Sequence, residues 1–308
     1  MKKDLVSIKD LSSGEIKEIF SLTTKLKENK VRFRKALAGK TLALVFQKPS
    51  NRTRVSFEVG MYQLGGNSIY LAPHEINLGV RESVKDVAKT LSRYVEGIVV
   101  RTFSHGIVVD MARYADVPVI NGLSDFSHPC QALADIFTVQ EKIRNRKNIV
   151  FSYVGDGNNV CNSLIFTCAK LGIPIHLGIP KGYGPQRDVL LEAAQTAGAK
   201  AGSIQLFSSA ARAVKSADVI YTDVWASMGQ EKESRTRKLK FKDFQVNRQL
   251  LLYAKKDVLV MHCLPAHRGE EITDEVMESR HSIVFDQAEN RMHVQKAILI
   301  KLLGGEDK

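Results

Sequence analysis

The chain has 308 residues, 44% hydrophobic and 25% charged, which supports a sizeable core, most simply divided between two domains, and excludes disordered and fibrous classes. No apolar run approaches the roughly 20 residues that span a bilayer. Met1-Lys2-Lys3-Asp4-Leu5 has no apolar signal stretch and carries an early acid, so the expected location is cytoplasmic. A formal charge of +12 raises the question of nucleic acid, yet the cations are mostly dispersed. The one dense run, Arg235-Thr236-Arg237-Lys238-Leu239-Lys240 with Lys242 after it, carries no zinc-finger, RNP or helix-turn-helix signature. It reads as a solvated loop, and the positive field as one that draws in small anionic substrates, with no nucleic-acid or membrane partner.

In chain order, residues 8–29 show apolar residues at helical spacing, with Ser12-Ser13-Gly14-Glu15 as a start signal. Residues 42–46 predict a strand and 52–64 a helix that stops at Gly65-Gly66. A short strand (68–71), an amphipathic helix (83–94), a buried strand (98–101), a helix (106–114) and a strand (117–121) follow. A long helical pattern, 132–146, opens after His128-Pro129-Cys130-Gln131. Strands at 148–154, 174–178, 203–206, 218–222 and 258–261 then alternate with helices, one of them at 160–171, and a last helix runs over 288–303. This alternation predicts an α/β protein of two domains, each a parallel sheet flanked by helices, with the active-site cleft between them. The expected division is 1–131 and 132–287, with 288–308 packing back on the first domain.

The turn between the first strand and its helix is Gln47-Lys48-Pro49-Ser50-Asn51-Arg52-Thr53-Arg54. Ser50, Asn51 and Thr53 suit a helix N-terminus, whose first N–H groups lack partners and attract anions. Cations in a first turn oppose the helix dipole unless an anion sits there. Arg52 and Arg54 therefore fit either two solvated surface arginines or a site for a phosphate-sized dianion held by N–H groups, hydroxyls and guanidinium forks.

The cysteines, at 130, 161, 168 and 263, have neither the density nor the spacing of a disulfide framework. Cys161 and Cys168, seven apart in a helical pattern, read as small core residues. His128, Cys130, His262 and Cys263 lack metal-ligand spacing, and adjacent His262 and Cys263 are expected to project apart, so no metal site is assigned. Gly155-Asp156-Gly157-Asn158-Asn159 follows a strand but places Val160 where a dinucleotide fingerprint requires its third glycine. Arg101, the Gly155–Asn159 loop, Asp223 and His262-Cys263 all stand just after predicted strands, where open α/β sheets bind ligands.

Taken in order, Ser50-Asn51-Arg52-Thr53-Arg54, Arg101-Thr102-Phe103, His128-Pro129-Cys130-Gln131, Asp223-Val224-Trp225-Ala226-Ser227-Met228-Gly229, His262-Cys263-Leu264-Pro265 and Glu289-Asn290-Arg291 resemble the successive signatures of the ornithine carbamoyltransferases, across nearly the whole chain. The resemblance implies transfer of the carbamoyl group of carbamoyl phosphate to the δ-amine of L-ornithine, giving L-citrulline and phosphate in arginine metabolism. It implies domain closure, no metal, no cofactor, and a homotrimer or a multiple of trimers.

By the same resemblance Ser50, Asn51, Arg52 and Thr53 hold the phosphate. Arg101 and His128 polarise the carbonyl, joined by Arg291, while Gln131 and the Leu264 carbonyl accept from the carbamoyl NH₂. Asn77, in the segment Asn77-Leu78-Gly79-Val80-Arg81-Glu82-Ser83, stands where a neighbouring subunit's site is reached. Asn159 bonds the α-carboxylate, Asp223 the α-ammonium, and Ser227 and Met228 complete that grip. Cys263 lies beside the δ-amine and also contacts carbamoyl phosphate. Arg101, His128 and Cys263 are thus the implied catalytic residues. Two positions depart from the family pattern: Asn51 stands where threonine is usual, and Asn77 where glutamine or histidine is common.

Overall fold

A computed structural model describes residues 3–143, 149–197, 203–226 and 233–304. Two compact units divide the chain, Met1–Phe137 with Glu289–Lys308, and Thr138–Ala288. The first change of unit falls between Phe137 and Thr138, inside a helix.

The first unit opens with a 3-10 turn, Ile8–Asp10, and helix α1, Ser13–Glu28. The helical spacing read from residue 8 is therefore broken. Two capping boxes in tandem do this: Asp10 accepts from the Ser7 N–H and Glu15 from the Ser12 N–H at 2.7 Å, leaving Leu11 extended between them. There follow β1 (Thr41–Phe46), α2 (Asn51–Gln63), β2 (Asn67–Leu71), α3 (Pro73–Ile76), α4 (Val84–Leu91), β3 (Gly97–Arg101), α5 (His105–Tyr114) and β4 (Val119–Leu123). Helix α6, Pro129–Lys142, starts three residues before the predicted 132, because proline suits a first helical position. The sheet is parallel, in the order β2-β1-β3-β4. β3 is buried along its whole length and β1 from Leu42 onward, as a sheet covered on both faces requires.

The second unit contains β5 (Phe151–Val154), α7 (Asn159–Leu171), β6 (Ile175–Gly178), α8 (Arg187–Ala197), β7 (Ile204–Phe207), α9 (Ala210–Ala213), β8 (Val219–Thr222), α10 (Ser234–Phe241), α11 (Arg248–Leu251), β9 (Leu259–His262) and α12 (Asp274–Met277). Its sheet is also parallel, ordered β7-β6-β5-β8-β9. β5 is shorter than predicted, since the Val150 N–H goes to the Asp218 carboxylate at 2.9 Å instead of to a neighbouring strand. The basic run at 235–242 is not a loop: residues 235–240 lie in α10 and Lys242 opens a 3-10 turn after it, with Arg237 buried and Lys238 paired to Glu270 at 2.6 Å. Helix α13, Val284–Leu303, starts four residues before the expected 288 and carries the chain from the second unit back into the first.

In each sheet the chain proceeds outward on one side of a starting strand and then resumes on its other side. The reversal lies between β1 and β3 in one sheet and between β5 and β8 in the other. Loops diverge at such a point, leaving a crevice outside the carboxyl ends of the strands. Register sets these ends side by side: Phe46 pairs with Arg101, Val154 with Thr222, and Thr222 with His262.

Candidate active site

In the first unit the residues at the strand reversal are cations and hydroxyls. Ser50 caps α2 through its Oγ, which accepts from the Thr53 N–H at 3.2 Å. Thr53, fully buried, takes guanidinium N–H groups on its Oγ1 from Arg101 at 3.3 Å and Arg291 at 2.6 Å, with Ser50 Oγ 3.0 Å away. Arg101 reaches this place because β3 ends there, and Arg291 because α13 returns to this unit. Both arginines are nearly buried.

His128, immediately before α6, is also buried. Burial pushes its pKa well below the usual histidine range, and the charges of Arg291, Arg101 and Arg52 push it further in the same direction. A neutral imidazole among three guanidiniums marks a strongly electropositive pocket. Its occupant is expected to be an anion, which compensates buried positive charge. Gln131, 1% exposed, donates through Nε2 to Asp135 Oδ1 at 2.8 Å, and its buried Oε1 has no partner among the described residues. The carboxylate, an acceptor, fixes the amide with Oε1 turned away as an acceptor.

Arg54 takes no part in this cluster. It pairs with Glu58 at 2.9 Å and lies 3.9 Å from the centroid of the Tyr70 ring, so one of the two arginines of the turn is a surface group and the other, Arg52, acts on His128. Asn51 is exposed at the first position of α2. Asn77 closes α3 in the left-handed conformation, φ +40°, and its carbonyl accepts from Val80 and Arg81, a backbone role that asparagine fills readily.

In the second unit the corresponding strand ends carry a carboxylate, amides and a thiol. Asp223 follows β8. Its Oδ1 accepts from the Val224 N–H at 2.8 Å and the Cys263 thiol at 3.0 Å, and its Oδ2 from Asn158 Nδ2 at 2.7 Å. Asn158 caps α7, bonding the N–H groups of Val160 and Cys161, with Asn159 as the first helical residue. Asn159 Oδ1 also accepts from the Val160 N–H at 3.0 Å. Leu264 lies at φ +58° beside Cys263, before a cis bond to Pro265, and its N–H donates to His262 Nδ1 at 2.8 Å. Nδ1 is therefore the unprotonated nitrogen, and the opposite Nε2–H meets buried Glu271 at 3.0 Å. Ser227 and Met228 lie outside the described residues.

His262 and Cys263 do not diverge as expected: ligand atoms of Asp223, His262 and Cys263 all lie within 4.8 Å of one another. Both nitrogens of His262 are committed inside the chain, and the Cys263 thiol donates to the Asp223 carboxylate. The remaining cysteines are core groups. Burial pushes the Cys130 thiol up to about 12 and the Cys161 thiol well above its ordinary range, and Cys168 is fully buried in the same helix.

Three residues missed in the sequence reading belong to this half: Asn158, Asp156 and Arg237. Asp156 and Arg237 pair at 3.0 Å with both side chains buried. An acid and two amides in a five-residue loop directly after a strand are the local signal for the first two; Arg237 was hidden in the basic run.

With these features in place, likeness to known proteins becomes informative. Residues 3–141 match the model for the aspartate/ornithine carbamoyltransferase carbamoyl-P binding domain, and residues 147–302 that for the Asp/Orn binding domain. The chain belongs to the aspartate/ornithine carbamoyltransferase family. It is 52% identical over 305 residues to an ornithine carbamoyltransferase of Thermococcus kodakarensis, covering 98% of this chain and 97% of that protein. The solved ornithine carbamoyltransferase of Pyrococcus furiosus superposes with a TM-score of 0.94 at 51% identity, over 99% of this chain and 98% of that one. That of Thermus thermophilus gives 0.89 at 41%, over 98% and 99%.

Proposed function

We infer that this protein is an ornithine carbamoyltransferase, moving the carbamoyl group of carbamoyl phosphate to Nδ of L-ornithine with release of phosphate. The observation that carries this reading is the division of chemistry between two strand reversals: cations and hydroxyls around a neutral histidine in one unit, a carboxylate with amides and a thiol in the other. The first suits a dianion bearing a carbonyl, the second an amino acid.

Ser50, Asn51, Arg52 and Thr53 hold the phosphate, and the cap of α2 adds backbone N–H groups. Arg101, His128 and Arg291 face the carbonyl oxygen. Neutral His128 donates a hydrogen bond there, and the guanidiniums stabilise the oxyanion as the tetrahedral species forms. Gln131 Oε1 and the Leu264 carbonyl accept from the carbamoyl NH₂, so rotation about the C–O bond to phosphate is restricted. Asp223 binds the α-ammonium and Asn159 the α-carboxylate. Cys263, its S–H directed at Asp223, sits beside the attacking amine. Unprotonated Nδ attacks the carbamoyl carbon, the C–O bond to phosphate breaks, and the proton lost from nitrogen leaves with phosphate.

The same reading places the enzyme in the cytoplasm as a trimer or a multiple of trimers. No helix among the described residues is long and apolar enough to cross a membrane. Val55, Val59 and Tyr62 form an exposed apolar stripe along α2, which supports contact between copies, and light scattering of the purified protein measures the assembly directly.

The activity is tested by incubating the protein with carbamoyl phosphate and L-ornithine and measuring citrulline and phosphate. Equimolar formation is expected. Phosphate release without citrulline would overturn the assignment.

A further inference from the structure

Arg237 lies 14 or more residues from every residue assigned above to substrate except Ser227 and Met228, yet it is 6% exposed and held from four directions. Its Nη1 reaches Asp156 Oδ2 at 3.0 Å and donates to the Trp225 carbonyl at 2.9 Å, and its Nε donates to Glu233 at 2.9 Å. The guanidinium carbon stands 5.1 Å from the centroid of the Tyr183 ring. Asp156 belongs to the loop after β5 and Trp225 to the loop after β8, so one guanidinium ties together the two loops that diverge at the strand reversal.

Those loops carry the amino-acid half of the site. Asn158 takes its N–H to the Asp156 carbonyl at 2.8 Å and gives its side-chain amide to Asp223. Tyr153, buried in β5, donates its hydroxyl to the same Asp156 carbonyl at 2.8 Å. A continuous path of hydrogen bonds thus runs from Arg237 through Asp156, Asn158 and Asp223 to the Cys263 thiol. A buried ion pair rarely stabilises a fold more than apolar side chains of equal volume, whereas removing one partner is costly. What such a pair supplies is a defined geometry.

We propose that Arg237 and Asp156 are positioning residues that clamp the β5 and β8 loops and thereby set Asn159 and Asp223 for recognition of the amino-acid substrate. The proposal rests on the carbamoyl-transfer reading above. Neither residue touches substrate in it, and the clamp acts on the amino-acid side alone.

The pair also gives the clamp a pH dependence. Burial raises the Asp156 pKa to about 6, against the lowering effect of Arg237 and with Asp223 and Glu233 adding to the rise. The charged and titratable groups interacting with it are Arg237 of α10, Glu233 immediately before that helix, Asp223 after β8, Tyr153 of β5 and Cys161 of α7. Below pH about 6 Asp156 is protonated, its charge-assisted bond to Arg237 weakens, and the grip on the amino acid loosens.

The test uses the full-length enzyme and variants Arg237→Gln, Arg237→Lys and Asp156→Asn. It measures KM for each substrate, kcat, and the inhibition constant of L-norvaline, which keeps the α-carboxylate and α-ammonium of ornithine but has no δ-amine to titrate. In Arg237→Gln, KM for ornithine and the norvaline constant should both rise by about 10- to 100-fold, the loss expected for a charge-assisted hydrogen bond, while KM for carbamoyl phosphate moves less than about twofold. Arg237→Lys and Asp156→Asn should show the same selectivity at smaller amplitude, and they carry the test if the glutamine variant fails to fold. In the wild type the norvaline constant should climb as pH falls from 7.5 to 5.5, and in Asp156→Asn it should stay flat. Equal changes in both KM values, or a norvaline constant that ignores Arg237, would overturn the clamp. Absence of citrulline from the wild type would instead remove the parent reading.

Discussion

At the scale of single residues the first half of the site turns on Thr53, a buried hydroxyl that holds two guanidiniums in place. Thr53→Val keeps the volume and removes the acceptor, leaving Arg101 and Arg291 without their common anchor. KM for carbamoyl phosphate should rise at least about tenfold, a loss typical of hydrogen bonds to charged groups, with ornithine recognition little changed. Arg101→Ala removes a donor to the developing oxyanion and should lower kcat by about 100- to 1,000-fold; near-normal turnover would refute the assignment of Arg101. Asp135 offers a subtler test, since its carboxylate fixes the Gln131 amide. Asp135→Asn allows either amide orientation and should raise KM for carbamoyl phosphate while leaving that for ornithine alone. A parallel change in both would show that Asp135 serves only the fold.

At the scale of elements, two local contacts define how helices enter the sheets. Gly157 opens the way to α7, and a Cβ there would stand 2.3 Å from Pro185 N and 2.4 Å from the Gly184 carbonyl carbon, both backbone atoms that cannot yield as a side chain does. Gly157→Ala should destabilise the protein by about 1–3 kcal/mol, read as a lowered urea midpoint. The capping box of α1 makes an acid-sensitive contribution. Accepting the Ser12 N–H lowers the Glu15 pKa from 4.5 to about 2. A carboxylate with a depressed folded-state pKa stabilises above its unfolded value and loses that contribution as pH falls through the folded one. The stability difference between wild type and Glu15→Gln should therefore be present above about pH 4.5 and shrink toward pH 2. These caps also show what sequence reveals about elements. Ser12 and Glu15 are three apart and readable on sight, so α1 was placed well. The separate turn at Ile8–Asp10 was missed because its own box, Ser7 with Asp10, interrupts an apolar spacing that continues across the break. The basic run at 235–242 was misread for a related reason: what makes it a helix is a buried arginine whose partners lie in other loops.

At the scale of the whole chain, alternating strands and helices were enough to predict two parallel sheets, because crossover helices follow from parallel pairing. The strand order and its two reversals depend on contacts remote in sequence. Much of the candidate site is nonetheless legible, since parallel strands deliver functional residues at their carboxyl ends, and Arg101, the Gly155–Asn159 loop, Asp223 and His262-Cys263 all follow strands. Arg101 and Asp223 are candidates of this kind, whereas His128 and Arg291 stand out only through the motifs around them. Asn158, Asp156 and Arg237 do not stand out, because they act through other side chains. The central claim is that one unit reads a carbamoyl-bearing dianion and the other an α-amino acid by its α-carboxylate and α-ammonium. The most direct measurement is the ratio of kcat/KM for L-ornithine to that for putrescine, which has the attacking amine but neither α group. A site that leaves Asp223 and Asn159 unpaired with the smaller amine should favour ornithine by at least about 1,000-fold. Comparable values for the two amines would contradict the account.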